Sequence, residues 1–149
     1  AEGVLLAEGG RFGGFSLFVQ DNKLVFAQNL AGEKTVYLTS NKPIPAGKVK
    51  LRVDVDLNPL VEKAIQKALA SGKRNDNAKE PPFALGKAKI FINDENVGEL
   101  KLEKLTQIFV LAYDEGFDVG RDLQTPVSDR YKTPFSFTGK LENVVIQDK

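Results

Sequence analysis

Residues 49–57 read Val-Lys-Leu-Arg-Val-Asp-Val-Asp-Leu, and this stretch decides the fold. Every second residue is apolar, and the residues between them are charged. Side chains of a β-strand point alternately to opposite faces of a sheet, so the pattern predicts a strand with one face on a core and the other in water.

Similar but shorter apolar runs recur along the chain, and turn-forming residues separate them. Asp21-Asn22 lies between two runs at hairpin spacing, and Asn93-Asp94-Glu95-Asn96 does the same further on. Many short strands joined by such turns predict an all-β fold, an antiparallel sandwich or barrel. Besides residues 49–57, the predicted strands are 15–20, 23–28, 35–39, 87–92, 97–102, 105–112 and 135–146.

One segment breaks the strand pattern. Asn58 is a good helix N-cap, Pro59 suits the first helical position, and Gly72 supplies a stop. Apolar residues between them repeat at helical spacing, which predicts one α-helix near residues 59–71. The polar stretch that follows leads into Pro81-Pro82 and is expected to be an exposed loop. We therefore expect one β-sandwich domain over residues 1–149, with a helix-plus-loop insertion over residues 58–86.

The composition excludes much of enzyme chemistry. The chain has 149 residues, of which 42% are apolar and 28% charged, as in one globular domain. It contains no His, Cys, Trp or Met. Without His and Cys it lacks the commonest general base, the thiol nucleophile and the usual zinc ligands. We therefore expect a protein without enzymatic activity.

The start of the chain and its charge bear on location and partners. The chain begins Ala1-Glu2-Gly3 rather than with Met, as signal-peptide cleavage would leave it, so we expect a periplasmic or secreted protein. No apolar run approaches the ~18 residues that span a bilayer. The net charge is +1 and the nearest basic cluster is interrupted by acids, so no nucleic-acid partner is expected. That cluster comprises Lys63, Lys67, Lys73, Arg74 and Lys79, interrupted by Glu62 and Asp76.

Two groups of residues are candidates for ligand binding. Residues 9–14 read Gly-Gly-Arg-Phe-Gly-Gly, where Arg11 could anchor an anion beside Phe12. No helix follows, so the phosphate-loop fingerprint fails and a tight bend is the simpler interpretation. Exposed tyrosines could stack on the apolar face of a sugar, although a stock of 10 Phe, 3 Tyr and no Trp favours core packing, because Phe is mostly buried. The tyrosines are Tyr37, Tyr113 and Tyr131.

Residues 114–122 are rich in carboxylates. Asp114, Asp118 and Asp122 fall four residues apart, and oxygen-rich loops suit Ca²⁺, which makes Ca²⁺ the one candidate cofactor. The spacing does not match an EF-hand, and Arg121 offers a counter-charge within the same loop. An arginine–carboxylate network is therefore the alternative to a metal site.

Several segments in order resemble the C-terminal accessory domain of large bacterial arylsulfatases. They are GVLLAEGGRFGGFSLFV (3–19), PAGK (45–48), IFIN (90–93), VGE (97–99), FDVGRD (117–122), TPV (125–127) and FTGKL (137–141). The resemblance implies a concanavalin-like or laminin-G-like jelly-roll. It does not imply sulfatase activity, because no serine lies in the Cys/Ser-x-Pro-x-Arg context of that family and there is no cysteine. The chain departs from the family at residues 58–86.

These observations lead to a functional expectation. We expect a non-catalytic interaction or assembly module, an accessory or scaffold subunit of an exported complex that binds a protein partner or itself. The alternatives are a carbohydrate-binding module, with or without Ca²⁺, and the excised C-terminal domain of a sulfatase. The residues expected to carry the interaction lie in or next to the insertion's helix, namely Leu60, Ile65, Leu69, Lys73 and Arg74.

Overall fold

A computed structural model describes residues 1–30, 32, 34–60, 63, 66, 67, 70, 86–102 and 117–147. These residues form two antiparallel sheets, which confirms the predicted all-β class. The larger sheet has the strand order β4-β3-β2-β1-β8, and the smaller one has the order β5-β6-β7. No described helix is long and apolar enough to cross a membrane. The strands are β1 (Gly3–Gly10), β2 (Gly13–Gln20), β3 (Lys23–Leu30), β4 (Lys34–Thr39), β5 (Leu51–Leu57), β6 (Gly86–Ile92), β7 (Glu95–Leu102) and β8 (Phe117–Val119).

Two tight hairpin turns confirm the predicted pairing. Asp21 and Asn22 join β2 to β3, with φ angles of 51° and 58°. Asn93 and Asp94 join β6 to β7, with φ angles of 50° and 65°. Positive φ at both central residues is the geometry of a type I′ turn, whose twist matches that of the flanking strands.

The insertion joins two strands that are paired with each other. Leu57 at the end of β5 lies opposite Gly86 at the start of β6. Asn58 Oδ1 accepts a hydrogen bond from the backbone N–H of Leu60 at 3.1 Å, so Asn58 caps a helix as predicted. The described residues with helical backbone are Pro59, Leu60, Lys63, Gln66, Lys67 and Ala70. The predicted loop at residues 73–80 and the predicted strand at 105–112 lie outside the described residues.

Both sheets contribute to one hydrophobic core, which makes the arrangement sandwich-like. Alternation decides which side chains enter it: Leu24 and Phe26 of β3 point towards the smaller sheet, while Val25 points away. The buried members are Leu5, Leu17, Val19, Leu24, Phe26 and Leu38 from the larger sheet, with Ala88, Ile90, Ile92, Val97 and Leu102 from the smaller one.

The opposite face of the larger sheet is covered by residues 122–135, which have no regular secondary structure. Val127 and Tyr131 pack there on Val4, Phe18 and Val25. The central strands of the larger sheet are therefore buried on both faces, and this explains why β2 and β3 are buried at most positions.

Asn29 of β3 ties this covering segment to the sheet. Its Nδ2 group lies 3.1 Å from the carbonyl oxygen of Val127 and 3.1 Å from that of Arg11. A single buried amide thus links the segment to the β1–β2 hairpin.

The predicted strand at residues 135–146 is wrong. Residues 136–147, which the structure describes, form one isolated bridge, between Ser136 and Val4, and no strand. Phe135 and Phe137 are half-buried and pack on the two hydrophobic clusters. Their alternation reflects packing against the sheet, with which this segment forms the single bridge at Ser136 rather than a strand ladder.

Candidate functional site

Two of the predicted candidates, Asp122 and Tyr131, meet within the covering segment. The Tyr131 hydroxyl donates to Asp122 Oδ2 at 2.6 Å, and the same oxygen accepts the backbone N–H of Val127 at 3.2 Å. Tyr131 is only 7% exposed. Burial raises the pKa of Tyr131 above its ordinary value of 10.0, and the hydrogen bond to Asp122 raises it further.

Aromatic rings enclose Tyr131 on two sides. The Phe18 ring meets it edge-on with centroids 5.1 Å apart, and the Phe135 ring stacks on it at 5.0 Å. Tyr131 therefore offers no exposed ring to a sugar in this structure.

Tyr37 lies nearer the rim of the same face. Its hydroxyl is 2.8 Å from Ser128 Oγ and also bonds Asp129 Oδ1. The Arg130 guanidinium lies 3.7 Å above the Tyr37 ring centroid, so a cation already occupies one face of that ring. Burial, followed by the bond to Asp129, raises the pKa of Tyr37. These contacts anchor the covering segment to β4.

The two described aspartates of the predicted Ca²⁺ site, Asp118 and Asp122, each accept a hydrogen bond from a backbone N–H group. Asp118 Oδ2 accepts the N–H of Leu123 at 3.1 Å, as Asp122 does for Val127. Asp114 and Tyr113 lie outside the described residues, and Arg121 is exposed. No group of three or more acidic residues within metal-binding reach occurs in the part of the chain that the structure describes. The three-aspartate Ca²⁺ site stays a prediction.

Exposed apolar side chains gather around β8, at one end of the larger sheet. Phe117 and Val119 are 42% and 48% exposed, and since they are two residues apart they lie on the same face of the strand. Leu123 follows in the loop held by Asp118 and is 44% exposed. Phe12, in the β1–β2 turn, is 49% exposed. We call these four residues the β8 corner.

The backbone links the turn at Phe12 to the loop after β8. Arg11 donates its N–H to Thr125 Oγ1 at 3.0 Å, and its guanidinium lies 4.6 Å from the Phe12 ring centroid. The predicted anion anchor, Arg11, thus sits at the β8 corner beside Phe12. No anion-binding function follows from this contact alone, because the guanidinium is already placed against the ring.

The described residues of the insertion present a different surface. Leu60 is 58% exposed at the start of the helix, and Lys63 and Lys67 are exposed beyond it. Ile65, Leu69, Lys73 and Arg74 lie outside the described residues. The predicted role of the insertion in binding stays a prediction.

The outer face of the smaller sheet carries a network of charges. Arg52 lies 4.0 Å above the Phe91 ring and donates from Nη1 to Asp94 at 3.0 Å. Lys87 pairs with Glu99 at 2.8 Å, which raises the pKa of Lys87 and lowers that of Glu99. Lys87 and Glu99 are diagonal neighbours on β6 and β7. Opposite charges on adjacent strands stabilise a sheet, so this face needs no ligand to account for it.

Comparison of the chain with protein-family models, with curated proteins and with solved structures finds no match.

The sequence carries one signal for the β8 corner. Phe117, Asp118 and Val119 alternate in polarity as a strand does, within a stretch whose carboxylates also suit a metal. Exposure of Phe117 and Val119 depends on what packs beside them, which no local pattern reports.

Proposed function

We propose that the protein is a non-catalytic interaction module that binds another protein chain at the β8 corner. The exposed pair Phe117 and Val119 carries this proposal. A soluble domain seldom leaves neighbouring large apolar side chains in water unless they form a binding surface. β8 is also the outermost described strand of its sheet, and an edge strand can hydrogen-bond an added strand from a partner.

The polar clusters support a non-catalytic role. Two pairs of side chains have the chemistry of acids and bases. Tyr131 and Asp122 form a hydrogen bond within the covering segment, and Tyr37 of β4 forms one with Asp129 of that segment. Both hydrogen bonds stabilise the packing of the covering segment.

The location and the finer fold class belong to the same proposal. The resemblance of residues 3–19 and 117–122 to arylsulfatase accessory domains supports a jelly-roll built as an accessory subunit of an exported complex. In such a subunit an apolar corner beside an edge strand is the surface on which a larger complex would assemble.

Affinity purification from an extract of the source organism tests the proposal. The bait is the tagged protein, compared with the double variant Phe117→Asp and Val119→Asp and with the control Val145→Asp. Val145 is 69% exposed and belongs to a separate exposed apolar run, Val144 to Ile146, so its variant makes the matched change from an apolar to an acidic side chain at the other exposed apolar surface.

We expect one partner to be recovered by the wild-type protein and the control, and its recovery to fall at least tenfold with the double variant. All three proteins should show the same thermal unfolding. Equal recovery by all three baits, or no specific partner, would reject the β8 corner as the binding surface.

A further inference from the structure

β5 is an edge strand with a self-complementary order of charges. It pairs with β6 on one side, and no other described strand lies against it. Residues 50–56 read Lys-Leu-Arg-Val-Asp-Val-Asp, so the basic residues precede the central Val53 and the acidic residues follow it. An antiparallel neighbour with the same sequence would place basic residues opposite acidic ones.

Only one register of such a pair brings opposite charges together throughout. With Val53 opposite Val53 of a second copy, Arg52 faces Asp54 and Lys50 faces Asp56. If the pair is centred on Asp54 instead, Asp54 faces Asp54 of the second copy. If it is centred on Arg52, Arg52 faces Arg52. Opposite charges across strands stabilise the pair and like charges destabilise it, so charge selects the Val53-centred register.

The apolar face of β5 fits the same register. Val55 is 44% exposed although it alternates with Leu51 and Val53, which pack on the core between the sheets. In the Val53-centred register Leu51 of the second copy lies directly opposite Val55. Pairing would therefore cover an apolar side chain that one copy leaves in water.

Contacts within one copy already hold the central charges in place. Arg52 Nε lies 3.1 Å from Asp54 Oδ1, and the Arg52 side chain is also fixed by Phe91 and Asp94. Asp54 thus lies on the charged face of β5 beside Arg52, and Asp94 reaches the same arginine from the β6–β7 turn. An arginine from a second copy would approach Asp54 from the side that faces the strand edge.

We propose that β5 binds β5 of a second copy, antiparallel and centred on Val53, so that two three-stranded sheets join into one six-stranded sheet. The resulting dimer has two-fold symmetry, as expected when a surface binds itself. The inference rests on the proposed role as an interaction module, but it uses a surface distinct from the β8 corner. Either proposal can fail without the other.

Single cysteines test the register, because the natural chain has none. Residues directly opposite each other in an antiparallel pair have Cα atoms about 4.5–5.5 Å apart, within the range of a disulfide. Val53→Cys should therefore form a covalent dimer on mild oxidation. The matched control is Val55→Cys, whose two copies would lie about 13 Å apart along the strands and should not cross-link.

An equimolar mixture of Leu51→Cys and Val55→Cys proteins should give a covalent heterodimer, because these positions face each other. Non-reducing electrophoresis reads all three results. Cross-linking of Val53→Cys no faster than that of Val55→Cys would overturn the proposal.

Charge exchange tests the proposal without cysteine. Arg52→Asp alone, or Asp54→Arg alone, should weaken the dimer at least tenfold in sedimentation velocity, because each brings like charges together. The double variant should restore it, since the opposite charges then meet with their positions exchanged. Lys101→Asp, on β7 of the same sheet, controls for charge alone.

Circular dichroism confirms that each variant is folded. Pairing through β5 would be refuted if the wild-type protein stays monomeric at millimolar concentration. It would also be refuted if Arg52→Asp and Asp54→Arg each leave the affinity of the dimer unchanged. Neither result bears on recovery of a partner by the β8 corner, which is measured with Phe117 and Val119 variants.

Discussion

Tyr131 shows how burial changes the role of a residue that composition alone presents as a binding candidate. Its hydroxyl donates to Asp122 within the covering segment, and its ring contacts those of Phe18 and Phe135. Sequence could supply the residue type but not its burial, because the segments that enclose Tyr131 are more than a hundred residues apart. The surroundings of Tyr37 are likewise not visible in the local sequence, because Arg130, which stacks on its ring, is distant along the chain.

The raised pKa of Tyr131 predicts a loss of stability in alkaline solution. Below pH 10 the tyrosine is protonated in both the folded and the unfolded chain, so its full contribution is present. Above pH 10 the unfolded chain ionises while the folded chain keeps its proton. The free energy of unfolding should then fall by about 1.4 kcal/mol per pH unit from this residue.

Tyr131→Phe isolates this effect. We expect the variant to be less stable at pH 7 by about 1–3 kcal/mol, because a buried hydrogen bond to a carboxylate is lost. The difference from the wild-type protein should narrow between pH 10 and 12, since all other titrating groups are shared. Urea unfolding at several pH values measures both, and a pH-independent difference would contradict the assignment.

Among the elements, hairpins were predictable and short or glycine-rich strands were not. β5 and the β2–β3 and β6–β7 turns follow from strict alternation and from Asp and Asn at the turns. β1 escaped prediction because glycines interrupt its apolar pattern, and β8 because it has three residues. At residues 135–146 a strand was predicted and none formed, because an apolar pattern indicates burial but does not say which neighbouring element buries the side chains.

The glycine-rich β1–β2 hairpin depends on the lack of a side chain at Gly14. Gly14 has a φ of +141°, and a Cβ there would lie 2.0 Å from the backbone oxygen of Glu8. Gly14→Ala should therefore destabilise the protein by about 2 kcal/mol or more. Gly98→Ala is the control, because its Cβ would meet the end of the Leu38 side chain, which can move.

We expect Gly98→Ala to cost about 1 kcal/mol, as for a modest overpacking of the core. Chemical denaturation of both variants gives the comparison. A Gly14→Ala protein as stable as Gly98→Ala would mean that the hairpin can open at Gly14 without loss.

At the scale of the whole molecule, the chain beyond β8 completes a three-layer arrangement that strand prediction could not foresee. The smaller sheet covers one face of the larger sheet, and residues 122–135 cover the other. A segment without regular structure has no periodicity to read, so only its apolar residues hint at burial. The candidate site was predictable in part, as Asp122 and Tyr131 by type, whereas their contact and the β8 corner emerge only from the assembled fold.

Truncation distinguishes the covering segment from the tail that follows it. A chain ending at residue 140 should keep its melting temperature within about 3 °C, because it loses exposed side chains and the Lys48–Glu142 ion pair, worth about 0–1 kcal/mol. A chain ending at residue 121 should not fold cooperatively, since Phe18 and Val25 would face water.

Calorimetry and binding of a dye for exposed apolar surface measure the difference. A cooperative transition in the shorter chain would show that the larger sheet is stable with one face uncovered.

The late position of the covering segment in the chain also determines when the larger sheet can finish folding during synthesis. β1 to β4 are complete by Thr39, whereas the segment that seals their outer face begins at Asp122. At about 5–20 residues per second, a ribosome leaves that face open for several seconds. The larger sheet cannot reach its native packing until residues 122–135 have been made, and until then a chaperone can hold the polypeptide unfolded.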